Sequence, residues 1–158
     1  MNITIIAVGT VKEPFYASAV SEYLKRLSPY AHMRVIEIAE EPRPAKPSRK
    51  DIQQALKKEA DKIGRVLPKG GTVVSLCVEG KEMDSVQFAR AIDEWGVAGG
   101  AQITFVIGGS DGLDPEIKAL GFRLSFSPMT FPHTLMRVIL LEQIYRGFRI
   151  LRGEPYHK

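Results

Sequence analysis

Apolar positions in this chain switch repeatedly between short unbroken runs and stretches of helical spacing. Residues 3–9, ITIIAVG, are a short run rich in β-branched side chains and predict a strand. Tyr16, Ala19, Val20, Tyr23, Leu24 and Leu27 then recur at helical spacing until Pro29 ends the pattern. A second strand is predicted over 33–39, MRVIEIA, and a proline-rich charged loop follows over 40–51. Within that loop Ser48 is placed to cap a helix over about 49–66, whose many charges predict an exposed rod with a narrow buried stripe.

The second half of the chain repeats the alternation. TVVSLCVEG (72–80) predicts a central strand, and DSVQFARAIDEWGVAGG a capped amphipathic helix ending in glycines. ITFVIGG (103–109) is the most apolar run and predicts a mid-sheet strand buried on both faces. A short helix near 115–119, a strand over 123–127 (RLSFS) and a long helix from about 132 to 150 complete the series. Alternation of this kind predicts an α/β sandwich with a mainly parallel central sheet. Ligands of such sheets bind beyond the carboxyl ends of the strands. That rule groups three stretches as a candidate site: 76–80, 108–112 and SFSPMTFPH (125–133).

Composition adds bounds rather than detail. At 158 residues, with 44% hydrophobic and 25% charged, the chain reads as one soluble globular domain without linker or repeat. No apolar run reaches the roughly 20 residues of a membrane helix. The N-terminus lacks the basic region and cleavage site of a signal peptide. The single cysteine, Cys77, falls in an apolar run and is expected to be buried, which excludes a disulfide framework and fits a reducing cytoplasm. Net charge is +4, but its distribution is uneven: residues 137–158 hold five basic side chains against two acidic ones. Such a segment suits either a phosphate-rich partner or a solvated helix face.

Several chemistries fail on spacing. In IGGSDGL, Gly109 and Gly112 match the last two glycines of GxGxxG, but Ile107 stands at the first, and no acidic residue follows about 20 residues on. His32, His133 and His157 lie far apart, so no metal site is expected. No GxSxG elbow is present. SFSPMTFPH is more informative. Pro128 and Pro132 stiffen it while Phe126, Met129 and Phe131 give it apolar faces. A backbone fixed in non-helical geometry can hydrogen-bond the edge of a flat heterocycle while side chains pack its faces. That suits an adenine-bearing cofactor held without a phosphate grip. His133, in the first turn of the following helix, reads equally as a capping or packing residue and as a catalytic one.

ITIIAVG, IGGSDGL and the whole stretch SFSPMTFPHTLMRVILLEQIYRGFRILRGEPYHK together resemble the ribosomal large subunit methyltransferase H family, small enzymes of the SPOUT class. The resemblance runs end to end and is looser over 40–70; Gly147 inside the last helix departs in character. It implies methylation of N3 of a pseudouridine in 23S ribosomal RNA, with S-adenosylmethionine as donor, on assembled ribosomes. It also implies a SPOUT-type α/β fold whose C-terminal chain forms a deep trefoil knot. Cofactor contacts are implied at Leu76, Gly108, Phe126, Ser127, Pro128, Met129, Thr130 and Phe131. A homodimer is implied with the last helix at its interface, where Met136, Leu140, Ile144, Phe148 and Leu151 form a row widened by Ile139, Leu141 and Tyr145. The tail Tyr156-His157-Lys158 would reach the target nucleotide. His133, Glu142, Tyr156 and His157 are the candidates for handling the N3 proton, and Arg137, Arg152 and Lys158 for holding RNA phosphates. A ribosome-binding assembly factor and a SPOUT enzyme for another RNA, such as transfer RNA, are the alternative readings.

Overall fold

The computed structural model describes all 158 residues, and strands and helices alternate along its whole length. In chain order these are β1 (Asn2–Val8), α1 (Pro14–Leu27), β2 (His32–Ile38), α2 (Arg49–Val66), β3 (Thr72–Glu82), α3 (Ser85–Ala98), β4 (Gln102–Ile107), α4 (Pro115–Lys118), β5 (Phe122–Ser125) and α5 (His133–Leu151). The strands form one sheet in the order β2-β1-β4-β3-β5, every pair parallel. β4 therefore lies at the centre, as its unbroken apolar run requires.

Helices cover both faces. Ile3, Ile5, Ala7, Ile103, Phe105 and Ile107 point to one side, where they meet Leu27 of α1, Phe88, Ile92 and Trp95 of α3, and Leu140, Leu141, Ile144 and Phe148 of α5. Ile6, Val8, Ile38 and Val106 point to the other, against Ala60 and Ile63 of α2 and Ile117 of α4. Because both faces are buried, β1 and β4 carry no polar alternation. α2 starts where its cap was expected: Ser48 accepts from the Asp51 amide while the Asp51 carboxylate accepts from the Ser48 amide. Its buried stripe is narrow, limited to Ala55, Glu59, Ala60 and Ile63.

Three details depart from expectation. The last strand ends at Ser125, not at residue 127: the Ser125 hydroxyl donates to the Ser127 carbonyl, and the Ser127 hydroxyl accepts from the Met129 amide. These side-chain bonds replace the ladder and turn the chain out of the sheet. Cys77 is half-buried rather than buried, because β3 leaves its partner there: Leu76 and Lys81 both register with Leu124, so residues 77–80 arch outward. Gly147 is a packing residue. A Cβ there would lie 3.0 Å from Ile92 Cδ1 and 3.5 Å from the Ala89 backbone, so its absence lets α5 seat closely on α3.

Candidate functional site

The arch of β3, the turn after β4 and the segment after β5 meet at the carboxyl end of the sheet and enclose a cavity of about 410 Å³. Seven of the eight positions expected to hold a cofactor line it: Leu76, Gly108, Phe126, Ser127, Met129, Thr130 and Phe131. Pro128 shapes the same loop without lining the cavity. His133 and Met136 close one end from the first turn of α5.

The turn after β4 is drawn tight by a bridge between Gly109 and Gly112. A Cβ on Gly108 would collide with the Gly112 carbonyl group, its carbon only 2.5 Å away, so this wall is bare backbone by necessity. Ser110 of the turn donates from its hydroxyl (2.8 Å) and its amide (3.3 Å) to Glu40. These bonds hold the Glu40 carboxyl below its usual range.

The stretch 76–80, expected at the site from parallel topology, reaches the cavity through the β3 arch. Cys77, Val78 and Glu79 all line the cavity, which follows from the arch and not from any motif. Burial, followed by the nearby Glu79 carboxylate, pushes the Cys77 thiol up, so it is a wall residue and not an activated nucleophile. Glu79 is held low by Lys118, which donates to it from the end of α4.

His133 packs its ring against the backbone of Gly9, at the end of β1. Its Nδ1 lies 3.4 Å from Arg137 Nη2.

Arg137 itself is not a phosphate ligand. Its side chain is 2% exposed, and its guanidinium donates to Glu37 (2.6 Å), the Gly9 carbonyl (2.6 Å) and the Val8 carbonyl (3.3 Å). It closes the orphan carbonyls at the end of β1 from the inner face of α5. The sequence count of basic residues could not distinguish this inward arginine from its outward neighbours.

Glu142, Tyr156 and His157 lie apart from the cavity and close to one another. Arg146 donates to Glu142, stacks 4.7 Å over the Tyr156 ring and approaches His157 Nδ1 at 3.4 Å. Tyr156 donates to Glu142 at 3.2 Å. His157 borders a second cavity, which shares Leu124, Ser125 and Phe126 with the first. Arg152 lies exposed over the Tyr30 ring at 4.5 Å, and Lys158 is exposed with no ion-pair partner.

Burial, then hydrogen bonding to Tyr23 and the charge of Glu142, pushes the Tyr156 phenol up to about 12. It is a neutral donor at physiological pH, which removes it from the candidate bases. A phenol raised on folding adds stability below its unfolded value near 10, and that contribution is lost as pH climbs through about 12. Denaturant melts of the protein and of Tyr156→Phe should therefore diverge between pH 10 and 12, the unsubstituted protein losing the more stability. Parallel loss in both would rule out this burial.

Comparison with known proteins decides the family. A family model described as "Predicted SPOUT methyltransferase" matches residues 1–157. The chain belongs to the SPOUT methyltransferases. Within them it is a member of the ribosomal RNA large subunit methyltransferase H family. It is 48% identical, over the full length of both chains, to the protein of that name from Carboxydothermus hydrogenoformans. It is 50% identical, again end to end, to the one from Bifidobacterium animalis subsp. lactis. Among solved structures, TrmJ from Z. mobilis ZM4 is similar with a TM-score of 0.54 at 14% identity, over all of this chain and 73% of that one. That likeness concerns the fold alone, and it agrees with the parallel α/β architecture of this SPOUT chain.

Proposed function

We propose that this chain is an S-adenosylmethionine-dependent methyltransferase that methylates N3 of a pseudouridine in 23S ribosomal RNA on the assembled ribosome, working as a cytoplasmic homodimer. The observation that carries the reading is the cavity at the carboxyl end of the sheet, with bare backbone at Gly108 on one wall and the braced Ser125–Pro132 segment on the other. Its lining fits an adenosyl group: a flat base can lie among Leu76, Phe126 and Met129, with the bare backbone at Gly108 free to approach its edge.

Bound there, S-adenosylmethionine supplies an electrophilic methyl group. The chain's own residues do the rest. The stiff loop fixes orientation and excludes water, which converts the transfer into a positioned, nearly unimolecular event. His133 borders the cavity beside the Arg137 guanidinium and is, with Glu142 and His157, a side-chain candidate to handle the N3 proton. Loss of that proton is favoured by a cationic surround, for which Arg146 with Arg152 and Lys158 of the tail are suited.

Two features support the dimer. The tail does not line the cavity of its own chain, so a partner's tail could complete it. Of the row expected at the interface, Leu140, Leu141, Ile144 and Phe148 are instead buried in this chain's own core, but half-buried apolar residues persist on two neighbouring helices, Tyr16 and Val20 on α1 and Leu135, Val138 and Ile139 on α5. The trefoil knot belongs to the same proposal: after β5 at the sheet edge, the chain returns as α5 to pack on both α1 and α3.

The test is transfer of a labelled methyl group from S-adenosylmethionine to ribosomes from a strain lacking the enzyme. Label in 23S RNA is the expected result. Demonstrable cofactor binding with no label in ribosomes would contradict it.

A further inference from the structure

With Arg137 turned inward, the C-terminal segment keeps few free cations for RNA, yet an uncompensated group stands elsewhere. Arg49 and Lys50 occupy the first two positions of α2, directly after its Ser48 cap. Positive charge in a first helical turn opposes the helix dipole, so the fold gains nothing from either residue. Neither has an ion-pair partner, and neither does Lys46 just upstream; all three are exposed. The neighbouring acids are engaged elsewhere: Glu40 with Ser110, Glu41 with Lys62, and Asp51 in the capping box.

The segment that carries these cations is anchored to the cavity. Pro42, Pro44 and Pro47 stiffen it. Arg43, 12% exposed, donates to buried Glu59 at 2.7 Å and to Asp111 at 2.8 Å, and also to the Glu41 carbonyl. Asp111 and Ser110 belong to the cavity wall. Lys46 is three residues beyond Arg43, hence within about 11 Å of it along the chain.

We propose that Lys46, Arg49 and Lys50 form a docking surface for backbone phosphates of ribosomal RNA, held beside the cavity by the Arg43 strut and separate from the C-terminal tail. The proposal rests on the ribosomal RNA reading above. It makes the loop over 40–51 a recognition element, not a plain connection between β2 and α2.

The test compares Arg49→Glu/Lys50→Glu with Arg65→Glu/Lys69→Glu. Both pairs change the net charge equally, and Arg65 is exposed about 24 Å further along α2. Binding to large ribosomal subunits is measured across salt concentrations, with methyl transfer, cofactor affinity and thermal melting measured in parallel. For Arg49→Glu/Lys50→Glu we expect binding weaker by about 10-fold or more and a salt slope shallower by about one to two units. KM for ribosomes should rise while cofactor affinity is unchanged. Melting temperature should hold or rise, because acids now sit at the positive end of the helix. Arg65→Glu/Lys69→Glu should bind and methylate ribosomes as the unsubstituted protein does, with a melting temperature equal or slightly lower because Arg65 sits in the last turn of α2. Equal weakening by both pairs, no weakening by the first, or weakening accompanied by a lower melting temperature would each overturn the proposal. Failure of the unsubstituted protein to methylate ribosomes would instead overturn the reading on which it rests.

Discussion

Gly108→Ala should lower affinity for S-adenosylmethionine by roughly 100-fold or more, equivalent to about 2.7 kcal/mol. The added methyl has no place to go. It meets the Gly112 carbonyl group, which is backbone and cannot rotate aside, so the turn from Gly108 to Gly112 must open. Opening it moves the wall that faces the Ser125–Pro132 loop and breaks the Ser110 contacts to Glu40. Overpacking should also cost about 1–3 kcal/mol of stability. Gly64→Ala is the matched control: its Cβ meets nothing within 4 Å on α2, so that variant should gain up to about 1 kcal/mol and bind normally. Calorimetric titration with S-adenosylmethionine reads the difference, and wild-type affinity in Gly108→Ala would show that this wall does not touch the cofactor.

Arg137→Ala should be among the most destabilising single changes in the protein. It strands the Val8 and Gly9 carbonyls, which have the guanidinium as a partner, and it empties a large volume under α5. A loss on the order of 3 kcal/mol is expected, or about 6 to 12 °C in melting temperature. Glu37 adds less than its distance suggests, because it is 39% exposed and can take water instead. Arg137→Lys should recover only part of the loss, since one ammonium cannot span Glu37 and two carbonyls. A phosphate-binding arginine would give the reverse pattern: unchanged melting and weakened RNA binding. Thermal melts beside ribosome-binding curves separate the two roles.

The contrast shows what could be read from residue order. Strand positions were legible because both faces of the sheet are covered, so β1 and β4 appear as unbroken apolar runs. The gathering of 76–80, 108–112 and 125–133 followed from parallel topology alone, and seven expected cofactor positions do share one cavity. What escaped depends on direction. Arg137 and Arg152 look alike in sequence, yet the first points inward from the first turns of α5 while the second, at its C-cap, is exposed. The arch of β3 arises from a register shift against β5, which a single strand cannot announce, and so the half-exposure of Cys77 within the expected stretch 76–80 was not foreseen. Arg43 was likewise hidden, because its partners Glu59 and Asp111 are 16 and 68 residues away.

Glu142, Tyr156 and His157 illustrate a different reason. Their mutual contacts through Arg146 are real within one chain, but they stand apart from the cavity that holds His133. In the homodimer proposed above, the same cluster would face a partner's cavity, and a residue list for one chain cannot carry that information.

The central claim is a methyl group on N3 of a pseudouridine in ribosomal RNA, and nucleoside mass spectrometry tests it most directly. Ribosomal and transfer RNA from a strain deleted for this protein would be digested and compared with RNA from the same strain carrying it. The account predicts that one N3-methylpseudouridine disappears from 23S RNA on deletion and returns on complementation, while transfer RNA stays unchanged. An unaltered 23S RNA, or a methylated nucleoside lost from transfer RNA instead, would contradict it.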